Sequence, residues 1–518
     1  MRTLRASLFF AALLPLCAAI PDPVKTENGQ VSGVAGANPE VRIYKGIPFA
    51  APPVGDLRWH APKAAANWQG VRAADKFGPI CMQRHPGTAA NGANSAMSED
   101  CLYLNVYTAA NSAKDKRPVM VWIHGGALTS GAGSIYDGEA LAKKGVVVVT
   151  VNYRLGLFGF FASPELTKES DRNSSGNYGL LDQISALEWV QKNIAAFGGD
   201  PKRVTIFGES AGSWSVNYLT ATPLARGLFQ RAIGESGGEF APARKLADME
   251  QAGLKFEQSA GAASLAALRA KSAEDLAKIQ GFQTAANVDG WFLPQDVFTI
   301  YATGKQSDVP TIIGSNNDEG SMFTAPNTTG ASFRQLAERR FGKDADAFEK
   351  LYPFNSDQEA WEAQAESMRD QTFGWEMRTW AREQTKTGKS KVYVYYFSHV
   401  PPGQNRAKGA FHGSEISYVF DNLIMAPFAV GPNDQPRPWT DIDHKLADTM
   451  SSYWVNLATT GDPNGKGLPK WPAYKTKDDQ VMGFGDKIEV MSLPHKPALD
   501  FLDEYNERQR LAGDHGTR

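Results

Sequence analysis

The stretch Arg203-Val204-Thr205-Ile206-Phe207-Gly208-Glu209-Ser210-Ala211-Gly212 decides how this 518-residue chain is interpreted. Its first five residues are mostly apolar or β-branched and predict a buried strand. Residues 214–219 can start a helix, so residues 208–212 form the turn between strand and helix. Glycine at both ends of the turn allows a sharp reversal that raises the serine hydroxyl above the sheet edge. Ser210 is therefore the predicted nucleophile.

Apolar runs on either side of this stretch predict further strands. Those at 118–124 (PVMVWIH) and 146–151 (VVVVTV) are apolar on both faces, as strands covered by helices on both sides must be. Residues 179–197 have apolar side chains near helical spacing, which predicts the crossover helix that precedes the strand at 203–207. The fold class is therefore α/β, with a mostly parallel, doubly wound central sheet.

Other segments extend this sheet or cover it. An extended segment is predicted at 41–44 and strands at 310–313 and 391–397. The run from 46 to 59 (GIPFAAPPVGDLRW) is too rich in proline for a helix or a central strand and predicts a rigid loop.

Two long, mainly helical inserts are predicted at roughly 241–300 and 330–385. No low-complexity linker separates these elements, so residues 20–518 are predicted to form a single domain.

Residues 1–19 predict a signal peptide. Arg2 and Arg5 precede an apolar run from Leu8 to Leu16, and small residues follow Cys17. The run is too short for a membrane span, and no later segment approaches about 18 uninterrupted apolar residues. Acylation of Cys17 is the alternative, which the bulky Leu16 disfavours. The expected location is secreted or periplasmic, without an integral membrane span.

Export makes the two remaining cysteines informative. Disulfides persist in oxidising compartments, so Cys81 and Cys101 are predicted to pair, with two buried free thiols as the alternative. The formal net charge is −2, which gives no excess positive field for a nucleic-acid backbone. No zinc-binding H-E-x-x-H or C-x-x-C pattern occurs, so no metal is expected. The sequence does not indicate an oligomeric state.

A serine nucleophile needs a histidine base and a carboxylate that orients the base. In folds built around this turn the chain order is serine, acid, histidine. Of the later histidines, His412 lies in a loop after the strand at 391–397, and His399 is its competitor. Asp318 and Glu319 follow the strand at 310–313, and spacing alone does not choose between them. A neutral histidine base predicts that kcat/KM rises with an apparent pKa of roughly 6 to 7.

Acyl transfer also needs hydrogen-bond donors for the oxyanion. His124-Gly125-Gly126-Ala127 ends the strand at 118–124, and its two glycines allow backbone N–H groups to face a substrate oxygen. Gly125, Gly126 and Ala211 are therefore the predicted oxyanion hole.

These motifs together resemble the carboxylesterase type-B, or cholinesterase-like, family of α/β-hydrolases, particularly its secreted bacterial members. The resemblance spans nearly the whole mature chain and rests on Tyr44-Lys45-Gly46-Ile47-Pro48, Glu99-Asp100-Cys101-Leu102-Tyr103-Leu104-Asn105-Val106, Asn152-Tyr153-Arg154, residues 208–212, Asp318-Glu319-Gly320 and His412-Gly413-x-Glu415. It implies the α/β-hydrolase fold, hydrolysis of small-molecule carboxylic esters through an acyl-enzyme without a cofactor, and Glu319 as the acid. It also implies the Cys81–Cys101 disulfide and the ion pairs Arg58–Glu99 and Arg154–Asp182.

One departure from the family bears on the substrate. Cholinesterases carry a tryptophan for the quaternary ammonium in the loop closed by the first disulfide, but residues 82–100 contain no phenylalanine, tyrosine or tryptophan. Choline specificity is therefore not expected. The candidate pocket aromatics, each of which could instead be core, are Trp214, Phe240, Phe323, Phe373 and Phe411.

The expected function is a serine carboxylic-ester hydrolase. A specialised esterase for phenolic (feruloyl-type), mycotoxin or polyester-fragment esters is the alternative within enzymes. A non-catalytic adhesion or scaffold protein on the same fold is the alternative outside them.

Overall fold

A computed structural model of the chain describes residues 20–83, 96–402, 409–424 and 438–512. The predicted signal peptide and Cys17 lie outside these residues. Within the described residues, eleven strands form one sheet. They are β1 (Val34–Ala35), β2 (Arg42–Pro48), β3 (Tyr103–Thr108), β4 (Arg117–Ile123), β5 (Val147–Val151), β6 (Gly199–Glu209), β7 (Arg231–Glu235), β8 (Thr311–Asn316), β9 (Val392–Phe397), β10 (Gln480–Phe484) and β11 (Ile488–Ser492).

The centre of the sheet is parallel and its two edges are antiparallel. The strand order is β11-β10-β9-β8-β7-β6-β4-β5-β3-β2-β1, and the strands from β10 to β5 in this order pair in parallel. Because β4 lies between β5 and β6, the chain turns in opposite directions on its two sides. Sites in such sheets form at the carboxyl ends of the strands where the order reverses, which here are the ends of β4 and β6.

Alternating side chains of the central strands build two cores. In β4, Val119, Val121 and Ile123 pack on one face of the sheet, whereas Met120 and Trp122 pack on the other. This follows from the two-residue period of a strand. Both faces are apolar because helices cover both.

The longer helices of the described part are α1 (Tyr178–Asn193), α2 (Ala211–Ala221), α3 (Leu246–Ser259), α4 (Gly330–Phe341), α5 (Asp357–Met368), α6 (Trp375–Thr387), α7 (Asp441–Thr460) and α8 (Lys496–Ala512). Helix α7 covers the face that carries Trp122, and α1 and α2 cover the opposite face. Shorter helices are Glu139–Lys143, Gly156–Phe160, Pro164–Glu169, Leu265–Arg269, Ala273–Lys278, Val297–Ala302, Ala345–Glu349 and Ile416–Val419. A π-helical turn, Arg369–Gly374, joins α5 to α6.

Small sheets lie outside the main one. They consist of Val24–Lys25 with Gln30–Ser32 and Val71–Ala73, of Ile80–Cys81 with Met97–Ser98, and of Arg244–Lys245 with Asn287–Val288. No helix of the described residues has the length and hydrophobicity that a membrane crossing requires.

The doubly wound, mostly parallel sheet predicted from the sequence is confirmed, including strands at β4, β5, β6, β8 and β9 and the crossover helix α1. One boundary was wrong. Strand β2 continues through Gly46, Ile47 and Pro48, although the proline content of 46–59 predicts that these residues belong to the rigid loop. Its register shifts between Tyr44 and Ile47, and Gly46 has a φ of 66°. A bulge there therefore allows the strand to continue to Pro48.

The disulfide and the ion pairs implied by the resemblance are present. Cys81 and Cys101 are bonded. Arg58 donates two hydrogen bonds to Glu99, at 2.6 and 2.5 Å, and Arg154 does the same to Asp182, at 2.8 and 2.7 Å. These pairs are buried and hydrogen-bonded at both oxygens, so loss of one partner would leave an uncompensated charge.

Candidate active site

Ser210 occupies a sharp turn between β6 and α2. Its φ of 57° and ψ of −124° lie where non-glycine residues are rare, and its N–H donates to the Glu235 carbonyl of β7 at 2.8 Å. The flanking glycines are needed because β4 runs against the turn. A Cβ at Gly208 would lie 2.5 Å from the Ile123 carbonyl oxygen, and one at Gly212 only 2.0 Å from the same atom. The sequence motif therefore reflects tight packing of two backbones.

The structure brings His412 and Glu319 together. The loop after β8 carries Glu319 and a loop following β9 carries His412, and the imidazole Nδ1 lies 2.6 Å from Glu319 Oε2. Asp318 is directed elsewhere, because its carboxylate accepts from the Ser321 hydroxyl at 2.8 Å. A backbone bridge between Asp318 and Phe411 joins the two loops. Of the two adjacent carboxylates, Glu319 is the one in contact with the histidine.

The other nitrogen of His412 lies at the serine turn. Its Nε2 is 3.1 Å from Oε1 of Glu209, the residue immediately before Ser210. Burial opposes the charged imidazole, but the carboxylates of Glu209 and Glu319 outweigh it and raise the pKa of His412 to about 9. Burial raises the pKa of Glu209 to about 7, against the attraction of His412.

Further buried glutamates surround this pair. Burial raises the pKa of Glu415 to about 8 and that of Glu235 well above its ordinary value. Burial thus favours the neutral form of both carboxyl groups. Glu235 accepts a hydrogen bond from Trp454 Nε1 at 2.7 Å, on the α7 side of the sheet.

The predicted oxyanion loop lies directly beside Ser210. A Cβ at Gly125 would fall 2.8 Å from the Glu209 carbonyl oxygen and 3.1 Å from the Ser210 Cβ. Burial lowers the pKa of His124 to about 4, so this imidazole is neutral and its Nδ1 donates to the Gly125 carbonyl at 2.8 Å. Ala211 is the first residue of α2, where a backbone N–H has no acceptor within the helix. The residues of the three predicted donors thus follow the carboxyl ends of β4 and β6.

Two of the candidate pocket aromatics contact His412. The Phe373 ring centroid lies 4.7 Å and the Phe323 centroid 5.2 Å from that of the imidazole. Phe373 is buried, whereas the Phe323 side chain remains 51% exposed. The π-helical turn carries Phe373, and π turns within helices are frequent at functional sites.

The remaining aromatic candidates differ in position. Trp214 is half-buried on α2, one turn after Ser210, and Phe411 is buried beside His412 in sequence. Phe240 has a fully buried ring that packs against Tyr301 at 5.1 Å and Trp380 at 6.4 Å, which favours the core alternative for this residue.

His399, the competing base, is engaged elsewhere. Its Nε2 lies 2.8 Å from Asp443 at the start of α7, and its Nδ1 lies 2.9 Å from Asp486 between β10 and β11. This histidine connects structural elements. No cluster of His, Cys, Asp and Glu suited to a metal ion occurs in the part of the chain that the structure describes.

Sequence reasoning gave no role to Glu209 or to Ser236. The contact of Glu209 with His412 was not anticipated, although Glu209 lies inside the motif itself. Ser236 donates to Glu319 Oε1 at 2.5 Å. The sequence pattern that could have indicated Ser236 is the recurrence of Gly-Glu-Ser at 234–236, one strand after Gly-Glu-Ser at 208–210.

The central sheet and the turn that carries Ser210 define an α/β-hydrolase. The family model described as "Carboxylesterase family" matches residues 21–502, and the chain belongs to this family. It is a carboxylesterase, an enzyme that hydrolyses carboxylic esters of small molecules.

Curated relatives and solved structures agree with this family. The chain is 38% identical to fumonisin B1 esterase of Sphingopyxis macrogoltabida over 92% of this chain and 89% of that protein. It is 36% identical to para-nitrobenzyl esterase of Bacillus subtilis (strain 168) over 94% of this chain and 98% of that protein. A solved PNB esterase structure matches with a TM-score of 0.81 at 34% identity, over 92% of this chain and 99% of the other.

Proposed function

We propose that the chain is an exported serine carboxylesterase. Ser210 is the nucleophile, His412 the base and Glu319 the acid, with the backbone N–H groups of Gly125, Gly126 and Ala211 as the oxyanion hole. The observation that carries this proposal is the 2.6 Å contact between His412 Nδ1 and Glu319 Oε2, with Nε2 directed to the Ser210 turn. Residues 20–518 act as one catalytic domain, and the chemistry requires no cofactor.

The mechanism follows from the proposed roles. His412 accepts the Ser210 proton as Oγ attacks the ester carbonyl, and the oxyanion hole binds the charge that develops on the carbonyl oxygen. Protonated His412 then gives its proton to the departing alcohol, which leaves an acyl-enzyme. Water, activated by the same imidazole, releases the carboxylic acid. Glu319 orients the ring and stabilises its cationic form throughout.

Export is supported by the N-terminal sequence and by the Cys81–Cys101 disulfide. Disulfides persist in oxidising compartments and are rare in a reducing cytosol. The predicted product is a mature chain that begins near residue 20 in a secreted or periplasmic location.

Covalent labelling tests the nucleophile. A fluorophosphonate should modify Ser210, and Ser210→Ala should lose both the label and turnover, by about 10⁴-fold or more, while its melting temperature stays near that of the wild type. Ser451→Ala is the control, because Ser451 is a buried serine that lies in α7, away from the Ser210 turn, and donates to the Ala447 carbonyl. An adduct on another serine would refute the assignment.

A second candidate function is hydrolysis of mycotoxin esters. It is favoured by the 38% identity with fumonisin B1 esterase over most of both chains. Comparing kcat/KM for fumonisin B1 with that for para-nitrophenyl acetate tests it. A clear preference for the mycotoxin supports this specialised function, and a preference for the simple ester supports a general carboxylesterase.

A further inference from the structure

The turn that carries Ser210 has a counterpart on the neighbouring strand. Residues 208–210 and 234–236 are both Gly-Glu-Ser, and β6 and β7 pair in parallel with Gly208 opposite Gly234 and Glu209 opposite Glu235. Both serines follow the last residue of their strand. The second serine, Ser236, therefore occupies the position on β7 that Ser210 occupies on β6.

The backbone of the two turns is also alike. Ser236 has a φ of 55° and Ser210 a φ of 57°. Each N–H donates to the next strand at 2.8 Å, Ser210 to the carbonyl of Glu235 and Ser236 to the carbonyl of Gly314. A positive φ is unfavourable for serine and easy for glycine. Glycine would suit the backbone at 236 better, so the serine side chain must account for its presence there.

The Ser236 hydroxyl is directed at the proposed triad acid. It lies 2.5 Å from Glu319 Oε1, the oxygen that also accepts the Asn316 N–H at 2.6 Å. Oε2, the other oxygen of Glu319, faces His412. A hydroxyl has one proton to donate, and the more distant Glu415 Oε1, at 3.4 Å, is the weaker acceptor. Two donors on Oε1 thus fix the carboxylate so that Oε2 meets the imidazole.

The environment strengthens this contact. Ser236, Asn316, Glu319 and Glu415 are all completely buried. A hydrogen bond to a charged carboxylate is stronger than one between neutral groups, and low polarity increases its contribution. The side-chain amide of Asn316 donates to Glu415, and burial raises the pKa of that neighbouring carboxyl to about 8.

We propose that Ser236 is a positioning residue for the hydrolytic reaction, acting through its hydroxyl on the carboxylate of Glu319. This inference rests on the proposed function, in which Glu319 is the triad acid. Ser236 itself contacts neither substrate nor the reacting atoms, so its removal should affect turnover and leave substrate binding unchanged.

The test uses Ser236→Gly as the main variant, because glycine keeps the positive φ and removes only the side chain. We expect kcat to fall about tenfold to a hundredfold, the equivalent of one hydrogen bond to a charged group, with KM within about twofold. Ser236→Ala keeps the backbone strain that serine already has at this φ, and it should lose a similar factor in kcat and also some thermal stability, because the buried hydrogen bond is lost. Ser451→Ala, which removes another fully buried hydroxyl, controls for general destabilisation.

A double-variant cycle with Glu319→Gln separates positioning from a merely structural role. If Ser236 acts through Glu319, adding Ser236→Gly to Glu319→Gln lowers kcat by less than about twofold further. Wild-type kcat in Ser236→Gly, or losses that multiply in the double variant, would overturn the positioning role and leave the triad standing. Wild-type kcat in Glu319→Gln would overturn the proposed triad, and the role of Ser236 with it.

Discussion

At the scale of single residues, the choice between Asp318 and Glu319 is the sharpest test of the site. Glu319→Gln replaces the carboxylate that faces His412 Nδ1 and should lower kcat by about 10³ to 10⁴. Asp318→Asn should lower kcat far less and act through the loop, because Asp318 accepts from Ser321. Measuring kcat and melting temperature for both variants decides the assignment. Severe loss in Asp318→Asn with near-normal turnover in Glu319→Gln would contradict it.

The pH dependence of His412 is the second prediction at this scale. The carboxylates of Glu209 and Glu319 raise its pKa to about 9 against the effect of burial. The base must be neutral, and it loses its proton only as the pH rises through that pKa. The apparent pKa of kcat/KM, measured as a pH profile, should therefore lie above the range of roughly 6 to 7 expected from an ordinary histidine.

A matched pair of variants checks the cause. Glu209→Gln removes the carboxylate 3.1 Å from Nε2 and should move the acid limb of kcat/KM to lower pH. Glu235→Gln is the control, because Glu235 is as buried as Glu209 but accepts from Trp454 and is not among the groups that shift the pKa of His412. The proposed electrostatic cause fails if the two variants give the same apparent pKa.

At the scale of elements, the sequence predicted strands wherever an apolar run was continuous. Strands β4, β5 and β6 are examples, and their two-sided burial explains the pattern. Strand β7 (Arg231–Glu235) is missed because charged residues stand at both of its ends, whereas β5, of the same length, is apolar or β-branched throughout. That glutamate is buried because Trp454, more than two hundred residues later, donates to it. The residues around Glu235 give no indication of a contact with a side chain so distant in sequence.

The candidate site likewise has features that the sequence predicts and contacts that arise only in the folded chain. The serine turn and the glycine pair are visible in the sequence, because each is fixed by local backbone requirements. The choice of Glu319 over Asp318 came instead from the resemblance to the family. The contacts of Glu209 with His412 and of Ser236 with Glu319 depend on the pairing of β6 and β7 and on the loops that follow β8 and β9. Only the folded chain brings these groups within reach of one another.

The packing of the serine turn against β4 gives a prediction for this element. Gly212→Ala would place a Cβ 2.0 Å from the Ile123 carbonyl oxygen, so the turn must shift. We expect destabilisation of about 1–3 kcal/mol and loss of fluorophosphonate labelling. Gly374→Ala is the control, because this helical glycine has its nearest neighbour at 3.4 Å. It should be neutral or stabilising by up to about 1 kcal/mol. Equal labelling of both variants would contradict the steric argument.

At the scale of the whole molecule, the site is assembled from residues far apart in the chain. Gly125, Ser210, Glu319 and His412 meet at the carboxyl edge of one sheet, whose two faces are covered by separate cores. Charged groups also join distant segments, since Arg58 binds Glu99 and also donates to the carbonyls of Arg269 and Lys271. The relative positions of these residues therefore depend on the stability of the whole fold, and contacts within the N-terminal region contribute to that stability.

The Cys81–Cys101 disulfide is such a contact and provides the last prediction. It joins residues 20 positions apart, and closing a loop of this length should stabilise the fold by about 3 kcal/mol in the chain-entropy model. The double variant Cys81→Ser, Cys101→Ser should have a free energy of unfolding lower by about that amount, and therefore a lower denaturation midpoint. Its midpoint should not respond to a reductant. The wild type should approach the variant when reduced, or when produced in a reducing cytosol. Equal denaturation midpoints for the oxidised wild type and the variant would show that the bond adds no stability.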